Sequence, residues 1–161
     1  MTDDSIDTWK HGPLLCAVVT SLQERGVTFD LDEESTSVRF LVHLPRAAYR
    51  ILLFVDEERE LAVCHVYFPV KAPMELRMLA CETISRANFG LMIGAFEMDF
   101  QDGEIRFRTG VDVEGGTLAP TMADSLVKVG LAMCERYYEA FMHVFFSGGS
   151  PEDAIAVADS L

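Results

Sequence analysis

The sequence has few basic residues and no long apolar run. Thirteen Lys and Arg residues stand against 26 Asp and Glu residues, which gives a net charge of -13 at pH 7. A charge of this sign repels phosphate backbones and anionic lipid headgroups. No apolar run approaches the roughly 18 residues of a membrane span, and residues 1–4, Met-Thr-Asp-Asp, lack the basic start of an export signal. We therefore expect a cytoplasmic protein that binds neither nucleic acid nor membranes.

Cysteine and histidine are also scarce. The four cysteines and four histidines are scattered, and none has a second ligand at a spacing typical of a zinc or iron site. Because the context is not that of a secreted protein, the cysteines are expected to be reduced thiols in or near the core. We predict no metal and no cofactor. The residues concerned are Cys16, Cys64, Cys81, Cys134, His11, His43, His65 and His143.

Catalytic motifs are missing as well. The chain has no Gly-rich phosphate loop, no Gly-x-Ser-x-Gly elbow, and no Cys or Ser with a base placed nearby in the sequence. A triad assembled from distant residues leaves no local motif, so the absence of motifs does not by itself exclude catalysis. We predict that the protein is not an enzyme and has no catalytic residues.

Half of the 161 residues are apolar, which is enough to bury a core without disulfides or metal. We predict a single domain over residues 1–161, with an ordered core at about 13–158 and a frayed start at 1–8. Helical and alternating apolar patterns then divide the chain. The predicted helices cover residues 13–25 (or from Trp9), 74–88, 121–146 and a short segment from Pro151, and the predicted strands cover 28–32, 38–44, 49–56, 61–68, 96–100 and 104–109.

The dipeptide Asp-Gly at 102–103 predicts a two-residue hairpin turn, because both positions of such a turn favour a positive φ. Counting outward from this turn, every facing pair sums to 205. The register sets Asp99 against Arg106 and Glu97 against Arg108. The densest cluster of acids and bases is therefore interpreted as cross-strand ion pairs rather than as a catalytic group or an anion clamp.

Both faces of the third and fourth predicted strands are apolar. Leu52 and Phe54 share one face of the third strand, and His65 and Tyr67 share one face of the fourth, while the opposite face of each is apolar too. With three or four helices available, we expect one sheet face to be covered and the other only partly. The exposed remainder predicts a dimer interface or a groove for an apolar ligand or peptide. The alternative is that a helix or the N-terminal segment covers it.

The long predicted helix also has surplus apolar surface. Its polar residues gather on one side and leave an apolar arc of roughly 200°, against the roughly 100° that a single core contact needs. We therefore predict that a partner segment binds on the sheet face or on the flank of this helix. The predicted partner-binding residues are Leu52, Phe54, His65, Tyr67, Leu131 and Tyr138.

Methionine is a further candidate for partner recognition. Flexible thioethers suit surfaces that repack against varied partners, although methionines also fill cores. Both interpretations stay open for this chain. The methionines concerned are Met74, Met78, Met92, Met98, Met122, Met133 and Met142.

The segment 88–109 is the most specific part of a wider pattern. A helix, a meander and a proline-bounded helix with Ile-Ser-Arg-Ala-Asn at 84–88 precede the hairpin and the long helix. This pattern resembles the YbjN-domain family of bacteria over most of residues 13–158, a family similar in fold to type III secretion chaperones. The resemblance implies a two-layer α+β sandwich with an antiparallel sheet of five to six strands packed by helices. It also implies homodimerisation, and it supplies no catalytic residues.

These observations lead to two functional hypotheses. The first is a non-enzymatic protein-binding module, chaperone-like or regulatory, that holds a partner segment on an apolar sheet or helix surface. The negative charge of the chain would favour basic or amphipathic partners. The alternative is a small-ligand sensor domain in bacterial signal regulation, with a pocket between the long helix and the sheet. Fold resemblance alone does not decide between them.

Overall fold

The computed structural model describes residues 11–159 of the chain. The predictions of a frayed start at 1–8 and of a helix beginning at Trp9 concern residues outside this range. A 3₁₀ turn at Met74–Leu76 precedes the second α-helix. The elements in chain order are α1 (Pro13–Glu24), β1 (Asp30–Asp32), β2 (Ser37–His43), β3 (Ala48–Asp56), β4 (Leu61–Tyr67), α2 (Arg77–Phe89), β5 (Ala95–Met98), β6 (Ile105–Asp112), α3 (Pro120–Phe146) and α4 (Pro151–Asp159).

Within the described residues, six strands form one antiparallel sheet in the order β1-β2-β3-β4-β6-β5. The first four strands make the predicted meander. After β4 the chain passes through α2 to β5 at the far edge, and β6 then returns between β5 and β4. The predicted α+β class, with an antiparallel sheet of five to six strands packed by helices, is confirmed.

Helices α1 and α3 pack against one face of the sheet, which we call the inner face, and α2 and α4 pack along α3. Tyr49, Ile51 and Leu53 of β3 point to this face and are buried. Close approach of α3 depends on Gly130, where a Cβ atom would lie 2.5 Å from the Cγ2 atom of Val66. Any larger residue at this position would push the helix away from β4.

A cluster of aromatic rings ties the edge strand β5 to α3. The ring of Phe96 meets those of Phe107, Tyr137 and Phe141 at centroid distances of 4.8, 5.6 and 5.2 Å, all in edge-to-face arrangements. All four side chains are buried. Burial of each such ring contributes about 1.5–3 kcal/mol, so this cluster fixes the position of the hairpin on the helices.

The C-terminal helix covers part of the surplus apolar arc of α3. At its start the Ser150 hydroxyl accepts a hydrogen bond from the Asp153 N–H at 3.1 Å, which caps the helix. Ile155 is buried, and the Nε of Arg136 on α3 donates to the Ala158 carbonyl at 3.0 Å. Helix α4 is therefore held on α3 by packing and by a hydrogen bond.

The predicted hairpin register is wrong by two residues. Phe96 faces Phe107 and Glu97 faces Arg106, so facing pairs sum to 203 rather than 205. The connection is a four-residue loop at 100–103, closed by a hydrogen bond from the Asp99 N–H to the Glu104 carbonyl at 2.9 Å. The shift of two keeps every side chain on its predicted face.

The loop is set by contacts from outside the hairpin. The Ala72 N–H donates to the Gly103 carbonyl at 2.8 Å, and Lys71 pairs with Asp102. The Asp99 carboxylate accepts from the Gln101 N–H at 2.7 Å, so it stabilises the loop and does not pair with Arg106 as predicted. The contacts of Lys71 and Ala72 come from the segment before α2, and together with Asp99 they hold the longer loop in place of a two-residue turn.

Candidate protein-binding face

The sheet face opposite the helices, which we call the outer face, carries four of the predicted partner-binding residues. Leu52 pairs with His65 in the register of β3 and β4, and Phe54 and Tyr67 lie diagonally on either side of them. Leu52, Phe54 and Tyr67 are only partly buried, although they lie in the two central strands. The prediction that one sheet face is covered and the other only partly agrees with this burial pattern.

Three rings form a strip across the outer face. The ring of His65 lies 5.5 Å from that of Phe54 and 6.3 Å from that of Tyr67, both edge-to-face. The Arg50 guanidinium lies over the Tyr67 ring at 4.7 Å. A depression of about 310 Å³ between β2 and β3 adjoins this strip and is lined by Leu41 among others. The outer face thus offers a shallow apolar surface rather than a deep pocket.

His65 is the unusual residue of this strip. Its side chain is only 6% exposed, yet neither imidazole nitrogen has a hydrogen-bond partner within the described residues. Burial, and after it the positive charge of Arg106, lower the pKa of His65 to about 4. The imidazole is therefore neutral near pH 7, and its donor and its acceptor are buried without a hydrogen-bond partner in the described residues.

The rim of the outer face is formed by ion pairs on the far side of His65. The Glu97 carboxylate accepts from the Nε of Arg106 at 2.9 Å and from the Nε of Arg108 at 2.5 Å. Burial raises the pKa of Glu97, but the hydrogen bonds from Arg108 and Arg106 outweigh burial and leave the pKa below its usual range. The predicted pair of Glu97 with Arg108 is present. Arg106, which was predicted to pair with Asp99, pairs with Glu97 as well.

Two more arginines lie on the outer face. Arg50 contacts Glu104 at 3.0 Å, and Arg39 lies 3.8 Å from Asp32. Together with Arg106 and Arg108, four arginines contact three carboxylates here. The strongly acidic character of the whole chain therefore does not extend to the centre of this face.

Leu131 and Tyr138, the other two predicted partner-binding residues, lie on α3 and so on the opposite side of the sheet. Leu131 lines a cavity between α1, α3 and the inner face. The Tyr138 ring packs on Phe68 at 5.7 Å. Both are partly buried. The six predicted residues therefore divide into four on the outer face and two on the helix layer.

A second exposed apolar surface, which we call the α2 surface, lies at the helix layer. Met74, Met78, Phe89 and Met92 are exposed by 75, 72, 95 and 98%. Large apolar side chains with such exposure are typical of interaction sites. The sequence analysis grouped these methionines but missed Phe89, which shares a helix face with Met78 at a spacing of eleven residues, or three turns.

The methionines do not all behave alike. Met98, Met133 and Met142 are partly buried and pack against the core, whereas Met74, Met78 and Met92 are exposed. Both interpretations of the methionines therefore apply, each to a different subset. Met122, in the first turn of α3, is exposed as well, at 37%.

Metal ligands and thiol groups are the first candidates for chemistry in residues 11–159. This part of the chain has no group of three or more His, Cys, Asp or Glu side chains that fits a metal ion. Cys64 is buried, and burial raises the pKa of its thiol to about 12. Burial likewise raises the pKa of Cys134. Neither thiol is an activated nucleophile.

Among residues 11–159, no helix combines the length and apolar character that a membrane crossing requires.

Asn88, at the end of α2, contacts the edge strand β5 through its side chain. Its side-chain amide donates to the Phe96 carbonyl at 3.0 Å and accepts from the Phe96 N–H at 2.8 Å. Asn88 is the first residue of the segment 88–109, the most specific part of the family resemblance. Its two hydrogen bonds join α2 to β5.

Comparison with known proteins agrees with this fold. Among solved structures, YbjN from E. coli, titled a putative transcription regulator, is similar over 78% of this chain and 86% of that chain, with 10% identity and a TM-score of 0.56. The ExsC-ExsE complex matches over 76% and 89%, with 16% identity and a TM-score of 0.49. No curated protein matches the chain.

The family model of YbjN, described as a putative bacterial sensory transduction regulator, matches residues 16–143. This range contains most of α1, all of α2, most of α3 and the whole sheet. The resemblance predicted from the sequence is thus confirmed, and the chain belongs to the YbjN family.

Proposed function

We propose that this protein is a non-enzymatic protein-binding module, chaperone-like or regulatory, that holds a segment of a partner protein on the outer face. The observation that carries this proposal is the strip of Phe54, His65 and Tyr67 in the two central strands. Within residues 11–159, Phe54 and Tyr67 of this strip are left partly exposed, while the helices pack on the other face. An apolar surface at the centre of a sheet is costly to leave in water.

The chemistry of the outer face indicates the kind of partner segment. Leu52, Phe54 and Tyr67 are partly exposed and offer apolar contact, and the buried His65 ring packs against the rings of Phe54 and Tyr67. The four arginines, which contact three carboxylates, favour a neutral or weakly acidic segment at the rim. An amphipathic segment with apolar side chains toward the strip meets both requirements.

We further infer that the protein is a cytoplasmic homodimer and that the α2 surface forms the dimer interface. Met78 and Phe89 lie on one helix face, so two copies related by a two-fold axis would bring identical apolar patches together. Thioethers adapt easily to such packing. Dimerisation through α2 leaves the outer face free.

Nucleic acids and membranes are not proposed as partners, since the chain carries a net charge of -13.

The proposal is tested by affinity capture with matched variants. Leu52→Asp places a charge in the apolar strip, whereas Phe146→Asp changes a 65% exposed residue at the end of α3. We expect the wild-type protein and Phe146→Asp to recover the same partner, and Leu52→Asp to lower its recovery by roughly tenfold or more. Equal recovery by Leu52→Asp, with unchanged circular dichroism, would remove the outer face as the binding site.

A further inference from the structure

A cavity of about 150 Å³ lies between α1, α3 and the inner-face side chains of β2 and β3. Its walls are mostly apolar. For comparison, a cavity of about 150 Å³ lined by Leu, Ile and Phe side chains stays free of water and binds benzene. The space therefore suits an apolar group the size of a six-membered ring. The lining includes Val18, Leu22, Phe40, Leu53, Val127 and Leu131.

Three charged side chains stand among the residues that line this cavity. Arg25 follows the end of α1, and Asp124 and Lys128 lie one turn apart on α3. The Asp124 carboxylate contacts both bases through its two oxygens. Arg25 and Lys128 are largely exposed, at 47% and 61% for their side chains. Two bases that share one acid leave an excess of positive charge beside an apolar cavity, in a chain that is otherwise strongly acidic.

We propose that this cavity binds a small monocarboxylate with an apolar tail of about the size of a benzene ring. The tail occupies the space between α1, α3 and the sheet, where it is removed from water. The carboxylate lies at the mouth and accepts hydrogen bonds from Arg25 and Lys128, in competition with Asp124. This site lies on the other side of the sheet from the proposed protein-binding face, and it gives the small-ligand alternative a specific place.

The charges at the mouth of the cavity predict the order in which ligands with the same tail bind, from the tightest to the weakest. An amine with the same tail meets two cations and is repelled, and a neutral alcohol loses the charge-assisted hydrogen bonds but keeps the apolar contact. A phosphate or a divalent cation has no tail to fill the cavity. Selectivity for a carboxylate over its alcohol therefore distinguishes a ligand site from a simple packing gap.

The experiment is a calorimetric or NMR titration of the full chain with phenylacetate, 2-phenylethanol and 2-phenylethylamine. We expect phenylacetate to bind roughly tenfold more tightly than the alcohol, and the amine not to bind. Methyl signals of Val127 and Leu131 are expected to shift on binding. Ala123→Leu adds bulk at a buried lining residue and is expected to abolish the shifts.

Two variants at the mouth give opposite expectations. Lys128→Met removes a cation and is expected to weaken phenylacetate binding several-fold, whereas Asp124→Asn removes the competing carboxylate and is expected to strengthen it. Lys71→Met, at a distant exposed ion pair, is the control and leaves binding unchanged. Equal affinity for phenylacetate and the alcohol, no binding of either, or changes of the same sign in the two mouth variants would overturn the proposal. None of these results bears on partner capture by the outer face.

Discussion

The side chain of Asn88 binds both backbone groups of Phe96, donating to its carbonyl at 3.0 Å and accepting from its N–H at 2.8 Å. The amide at the end of α2 thus occupies the place of a further strand beside β5. An open sheet edge invites pairing with other chains, and this edge is closed at its central residue. Partner binding is therefore expected on the outer face of the sheet and not along this edge.

Asn88→Ala is expected to destabilise the protein by about 2 kcal/mol, because it leaves the Phe96 N–H and carbonyl without partners. The measurement is urea unfolding followed by circular dichroism. Asn88→Asp retains the acceptor and loses the donor, so its loss should be smaller in a matched experiment. A change below about 0.5 kcal/mol for the alanine variant would show that these hydrogen bonds do not hold β5.

The hairpin register predicts which charge pairs are coupled. A double-mutant cycle of Glu97→Ala with Arg106→Ala should give a coupling energy of about 0.5–1 kcal/mol, because these side chains are hydrogen-bonded at 2.9 Å. The same cycle with Asp99→Ala and Arg106→Ala should give a coupling energy close to zero, since Asp99 stabilises the loop instead. Coupling of Arg106 to Asp99 rather than to Glu97 would restore the register with facing pairs that sum to 205.

His65 makes stability depend on pH. The pKa of its folded form is about 4, below the value of about 6.5 in an unfolded chain, so the unfolded state binds more protons between these values. The contribution of the neutral His65 to the free energy of unfolding is therefore fully present above about pH 6.5, and it is lost as the pH falls towards 4. His65→Phe keeps an aromatic ring and removes the titration.

The difference in unfolding free energy between His65→Phe and the wild type should therefore grow by about 2 kcal/mol in favour of the variant from pH 7 to pH 4. Urea unfolding at several pH values measures it. Because all other titrating groups are shared, the difference curve isolates His65. Parallel curves for the two proteins would show that His65 titrates alike in the folded and unfolded states.

The α2 surface predicts the oligomeric state. The wild-type chain should have a solution mass twice its 17.9 kDa, and Phe89→Asp should reduce it to that of a monomer. Leu41→Asp, at a 50% exposed residue of the outer face, is the matched control and should remain a dimer. Light scattering after size-exclusion chromatography measures the solution mass of each protein. A wild-type monomer, or a dimer broken by Leu41→Asp and not by Phe89→Asp, would contradict this assignment.

Much of the fold follows from local patterns in the sequence. The alternation in β3 places Tyr49, Ile51 and Leu53 on one face, and the structure buries these three residues. The helix cap at Ser150 needs only neighbouring residues, so it was also predictable. The hairpin loop was not, because the hydrogen bond from Ala72 to Gly103 links segments that are far apart in sequence.

The candidate site was predicted only in part, for a similar reason. Both faces of β3 and β4 are apolar, so periodicity identifies the strands without showing which face the helices cover. Leu52 and His65 were therefore predicted to belong to the same binding surface as Leu131, although they lie on opposite sides of the sheet from it. The lack of hydrogen-bond partners for His65 depends on its neighbours in three dimensions and leaves no mark in the sequence.

Photo-crosslinking from Tyr67 tests the central claim most directly. A benzophenone amino acid at this position lies on the outer face, and the same residue at Phe146 serves as the control at the end of α3. We predict that position 67 crosslinks to a segment of a partner protein, that Leu52→Asp abolishes this product, and that position 146 gives none. A partner that crosslinks from position 146 and not from position 67 would contradict the account.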